Sequence, residues 1–139
     1  MNRLAITTLA ALTLAAGVSS PAAAATPLPP LTYARLGQTV TIGGYRVTPI
    51  AVLEDSRCPA MVTCVWSGQV RLSLRVAAIR GRERFNGEMT SMQPLQLRRG
   101  ALQIRITQPQ NTRAGSPRPA QYRFGFQFTP RGSQSTRLS

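Results

Sequence analysis

The clearest pattern along the chain is a strict alternation of apolar and polar side chains. Val70, Leu72, Leu74 and Val76 face one way while Arg71, Ser73 and Arg75 face the other, the period of two that a half-buried β-strand imposes. Leu102, Ile104 and Ile106 alternate in the same manner with Gln103, Arg105 and Thr107. Tyr122, Phe124, Phe126 and Phe128 alternate with Arg123, Gly125 and Gln127. Thr39-Val40-Thr41-Ile42 repeats the pattern, and Gly43-Gly44 behind it supplies the permissive backbone of a tight hairpin turn. The next run, Tyr45 to Leu53, puts Tyr45 and Val47 on one face, yet its large apolar residues beyond Pro49 are Ile50 and Val52. That slip of one residue predicts a bulge or an edge position at Pro49. Asn86-Gly87 predicts a hairpin turn between residues 82–85 and 88–90, and Leu95 with Leu97 predicts another short strand. No segment after residue 25 carries a helical period. About seven short strands divided by turn signals predict an all-β domain. Its expected form is a single small immunoglobulin-like β-sandwich, with a small barrel as the alternative closure.

The ends of the chain read differently. Met1-Asn2-Arg3, the apolar stretch Leu4 to Val18, and small residues at Ala23 and Ala25 have the order of a secretory signal peptide over residues 1–25. Its apolar stretch is shorter than the ~20 residues a membrane span needs, so cleavage after Ala25 is expected rather than a transmembrane anchor. Residues 26–34, with Pro27, Pro29 and Pro30, predict an extended arm, since proline removes the amide donors of a strand or helix. The folded domain is expected over 35–129. Within it, Gln108 to Ala120 lacks any large apolar residue and predicts a long exposed loop, and 130–139 predict a disordered tail.

Charge narrows the choice of partners. The chain has 17 Lys+Arg against 4 Asp+Glu and a net charge of +13, and every base is arginine. Arg3 would leave with the signal, so the exported protein stays almost as basic. Such a field attracts polyanions, and outside the cytoplasm these are lipopolysaccharide, acidic glycans, anionic lipid or extracellular DNA; intracellular nucleic acid drops out. If their strands share a sheet, Arg71, Arg75, Arg105 and Arg123 converge on one outer face as a basic patch. Aromatic residues do not interleave with them, which argues against base stacking.

Chemistry concentrates in Glu54 to Gly68, which holds both cysteines, the single tryptophan and two of the four acids. In an exported chain this spacing predicts a Cys58–Cys64 disulfide that fixes a local shape. Two thiolates without histidine cannot complete a zinc site, so no metal is expected. Trp66 is expected to pack on the disulfide or into the core, the alternative being an exposed ligand platform. Arg57 either pairs with Asp55 across a turn or is presented by the disulfide as a rigid finger toward an acidic or aromatic partner. Without histidine, Ser-His and Cys-His nucleophile pairs are impossible, and adjacent Glu54 and Asp55 point to opposite faces of a strand. No enzyme and no cofactor is expected.

The pattern Asp55-Ser56-Arg57-Cys58-Pro59, then Val62, Cys64, Trp66 and Gly68, resembles a signature of small exported bacterial proteins, many of them lipoproteins. The likeness runs from Leu36-Gly37-Gln38 through Phe128. The chain departs from it in lacking a lipid-bearing cysteine and in carrying Ser67 where alanine is common. The resemblance implies no particular activity. These features lead to a periplasmic or secreted, monomeric, non-enzymatic binding or envelope-associated module. Asp55, Arg57 and Trp66 are its candidate contacts and an envelope protein its partner, with a generic binder of anionic envelope polymers through the arginine face as the alternative.

Overall fold

The structure is a computed structural model, and it describes residues 16–21, 27–112 and 115–132. The expected signal peptide and its cleavage point fall largely, and the tail beyond Gly132 wholly, outside the described residues. Eight strands form in order: β1 Thr32–Ala34, β2 Val40–Ile42, β3 Tyr45–Asp55, β4 Val70–Ala78, β5 Arg84–Thr90, β6 Leu95–Leu97, β7 Gly100–Gln108 and β8 Arg123–Pro130. They assemble into two antiparallel four-stranded sheets, β1-β8-β7-β6 and β2-β3-β4-β5, neither closed into a barrel. Among the described residues there is no α-helix, only a 3-10 turn at Pro119–Gln121, and no helix long and apolar enough to cross a membrane.

The two sheets bury most of the residues whose alternation announced them; Ile106 is the exception in β7, 37% exposed because a register shift between Ile104 and Ile106 breaks the period. Val70, Leu72, Leu74, Val76 and Ala78 of β4 share one core with Phe124, Phe126 and Phe128 of β8 and with Leu102 and Ile104 of β7. Apolar area removed from water on both inner faces is the main driving force for such a fold. The rings of Tyr122 and Phe124 stack with centroids 5.6 Å apart, and Tyr45 meets Phe128 at 5.9 Å across the sandwich. Gly43 and Gly44 make the expected turn with φ of +59° and +84°, and a Cβ on Gly43 would run into the Phe128 ring. The phase slip in β3 is a register shift between Pro49 and Ala51; a second shift lies between Val52 and Glu54.

Three expectations change. Asn86 and Gly87 do not turn the chain: they pair with Arg75 and Leu74 inside an unbroken β5. Phe85 and Met89 both face the core, a parity that a turn between them would destroy, and the chain reverses instead between β4 and β5 around Gly81, at φ +109°. Thr32–Ala34, at the end of the expected arm, pairs with Phe124–Phe126 and adds the eighth strand. The segment after β7 is not merely exposed, because Asn111 is only 5% accessible and anchors it against the end of β3.

Candidate functional site

The connection from β3 to β4, residues 56–69, leaves the sandwich through a narrow neck. The Ser56 amide donates to the Gln69 carbonyl at 2.9 Å, and the Gln69 amide donates to Ser56 Oγ at 3.1 Å. Gly68 is required at this neck because a Cβ there would overlap the Ser56 carbonyl. Beyond it the Cys58–Cys64 disulfide closes the loop with Cα atoms 5.9 Å apart.

The loop stands on a buried polar clasp. The register shift before Glu54 leaves Glu54 outside, 3.8 Å from Arg71, and turns Asp55 inward with a side chain 1% exposed. Arg57 grips that carboxylate with one edge of its guanidinium, Nε donating to Oδ1 at 2.8 Å and Nη2 to Oδ2 at 2.7 Å. This bidentate geometry is the strongest that an arginine and a carboxylate form. Arg57 Nη1 also donates to the Thr107 carbonyl at 2.6 Å and Nη2 to the Pro109 carbonyl at 2.9 Å, tying the loop to the end of β7. Asn111 Nδ2 donates to Asp55 Oδ1 at 3.1 Å and to the Arg57 carbonyl at 3.0 Å, and Tyr122 donates to Asp55 Oδ2 at 2.8 Å. The Asn111 carbonyl then accepts from the Ala60 amide inside the loop, at 2.9 Å.

Burial works to raise the Asp55 pKa, but the hydrogen bonds from Arg57 and Tyr122 and the adjacent positive charge outweigh it and hold the carboxyl below its ordinary value. Burial and the Asp55 charge push the Tyr122 hydroxyl up to about 12. A carboxylate with both oxygens engaged twice is a structural anion rather than a free base.

Arg57 therefore forms the polar turn network and not the outward finger. Its side chain is 19% exposed, and its donors are spent inside the molecule. Trp66 corrects the expectation in the other direction, for it lies neither on the core nor in it and is 75% exposed. Val65 at 95% and Met61 at 97% are exposed on the same loop. Between the loop and β7 opens a cleft of about 570 Å³, lined by Arg57, Pro59, Met61 and Val62 on one side and Ile104 and Ile106 on the other. Among the described residues no three His, Cys, Asp or Glu side chains gather into a metal-binding group.

The four arginines expected to converge do not. Arg71 and Arg75 lie on β4 in one sheet, while Arg105 and Arg123 lie on β7 and β8 in the other. Arg71 sits between Glu54 and Glu88, at 3.8 and 3.6 Å, and Arg123 stacks over the Tyr33 ring at 4.6 Å. Sequence reasoning missed Asn111, whose loop carries no apolar signal, and the hydroxyl of Tyr122, legible only as a core ring. No family model, no curated protein and no solved structure matches the chain.

Proposed function

We propose that the chain is an exported, non-enzymatic binding module that meets an envelope protein through the loop of residues 58–68. The observation that supports this reading most is the exposure of Trp66, Val65 and Met61 on a loop that is held rigidly at its base. Exposed aromatic and apolar side chains carried on one short loop offer a contact surface, and a loop ordered before binding loses little entropy when a partner docks. Asp55 and Arg57 act as supports of this surface and Trp66 as its anchor. A disulfide in a small domain is compatible with an oxidising compartment outside the cytoplasm, in keeping with the signal-like N-terminus. The arginine-face alternative is weaker because its four residues divide between opposite sheets.

The test immobilises the oxidised mature protein and inventories the envelope proteins it retains. A partner held at high salt, lost with Trp66→Ala and kept with Arg75→Ala, supports the loop. Retention that is salt-labile and indifferent to Trp66 overturns it.

A further inference from the structure

The end of the sandwich opposite the disulfide gathers charge that is scattered along the sequence. Three features meet there: the β4–β5 turn with Arg80 and Arg82, the β6–β7 turn with Arg98 and Arg99, and the two strand ends at Arg84 and Arg131. They are joined by contacts: Arg99 Nη2 donates to the Arg80 carbonyl at 2.8 Å, the Arg131 amide to the Arg99 carbonyl at 2.8 Å, and the Arg98 amide to Glu83 Oε1 at 3.0 Å. All six arginines are exposed. Glu83 is the one carboxylate among them in the described residues, and its oxygens are taken by the Tyr45 hydroxyl and the Arg98 amide. No guanidinium of this end forms an ion pair within 4 Å among the described residues, in contrast to Arg57 and Arg71. The pole lies about 25–30 Å from the disulfide loop, the length of a nine-residue strand such as β4.

We infer that this arginine pole is a docking surface for an anionic lipid membrane. Guanidinium groups bind phosphate oxygens in paired hydrogen bonds, and several exposed cations without carboxylate partners on one small surface sum into a field that draws phosphate-bearing headgroups. The shape favours a plane over a polymer strand, because turns and strand ends form an end cap that meets a surface head-on. Nucleic acid fits less well, since Tyr45, Phe85 and Phe128 pack in or against the core beneath the cap and leave no ring for a base to stack on. Docked in this way, the molecule would hold its disulfide loop away from the membrane, so the two surfaces act without competing.

Vesicles of phosphatidylglycerol with phosphatidylcholine, compared with phosphatidylcholine alone, test this with the oxidised protein at low and high salt. The protein is expected to sediment with the anionic vesicles only, and less so at high salt. Each arginine near such a surface is worth roughly a fivefold factor, so R80A/R82A/R98A should weaken binding about a hundredfold. R80K/R82K/R98K should retain most of it, which separates lost charge from a damaged fold. R75A/R105A/R118A removes the same charge elsewhere and should cost far less. Equal losses for the two alanine triples would make net charge the whole cause and overturn the pole. Equal binding to neutral vesicles, or binding to inorganic polyphosphate with none to vesicles, would overturn the membrane. Trp66→Ala leaves this binding unchanged if the pole is the contact; loss of vesicle binding with Trp66→Ala would transfer the membrane contact to the loop.

Discussion

Each end of the sandwich is closed by a core tyrosine bonded to a carboxylate, and the two pairs differ in what surrounds them. At the disulfide end Tyr122 donates to Asp55 at 2.8 Å, and Arg57 and Asn111 complete a buried network. At the arginine end Tyr45 donates to Glu83 at 2.6 Å, where the carboxylate is partly exposed and takes an amide but no guanidinium. The shorter bond is the less consequential one. Water can replace a lost partner of Glu83, whereas a lost partner of Asp55 leaves a charge stranded in a low-dielectric site. The same motif thus fixes a loop at one end and leaves a field of cations without carboxylate partners at the other.

Asp55→Asn is the largest expected break of this contrast. It strands the Arg57 charge, and a buried pair broken from one side costs about 3 kcal/mol, the low end of the usual range because Arg57 keeps some exposure. Chemical denaturation checks it. The pH dependence has a definite sign: a carboxyl held below its ordinary value in the fold contributes stability above the unfolded pKa of about 3.9 and loses it as pH falls through the folded value. The acid limb of unfolding should therefore flatten in Asp55→Asn. Next comes the disulfide, where Cys58→Ser with Cys64→Ser should cost about 2 kcal/mol by loop entropy. Amide exchange should rise in residues 56–69 and stay unchanged at the arginine end.

The tyrosines give a matched pair of smaller effects. Tyr122→Phe should lose about 2 kcal/mol, since it removes a hydrogen bond to a buried charge, and Tyr45→Phe about 1 kcal/mol. Differential denaturation of the two variants measures the ratio, and equal losses would contradict the role given to burial. Both hydroxyls are raised above their ordinary value, Tyr122 to about 12. Their contribution is complete below pH about 10 and disappears as pH rises through the folded values. Alkaline unfolding should be displaced more by Tyr122→Phe than by Tyr45→Phe.

How much of this could be read from sequence follows from the range of the forces involved. Alternation in β4, β7 and β8 is local, so the inner faces were legible, and the spacing of Cys58 and Cys64 sufficed for the disulfide. The Asn86-Gly87 signal misled because core parity on both sides of it outweighs a dipeptide's turn preference. The arginine pole was invisible, since residues 80, 82, 84, 98, 99 and 131 meet only once strand order is known. Strand order likewise separated Arg71 and Arg75 from Arg105 and Arg123. Asn111 lies more than fifty residues from the Asp55 it serves, and nothing in its own loop marks it.

Trp66 gives the smallest stability effect and the sharpest test of the disulfide end. A tryptophan packed on a core loses several kcal/mol when truncated to alanine, whereas a ring that contacts chiefly water changes stability by less than about 0.5 kcal/mol. With Trp66 75% exposed, Trp66→Ala should unfold at nearly the wild-type denaturant concentration. Trp66 is the only tryptophan, so its fluorescence reports on the loop alone, and soluble quenchers should reach it equally in the folded and unfolded protein. A protected indole, or a large loss of stability, would mean that the ring belongs to the fold and that the loop has no aromatic anchor to offer a partner. Free access together with unchanged stability would leave binding as the role of this side chain, because nothing in the packing of the domain depends on it.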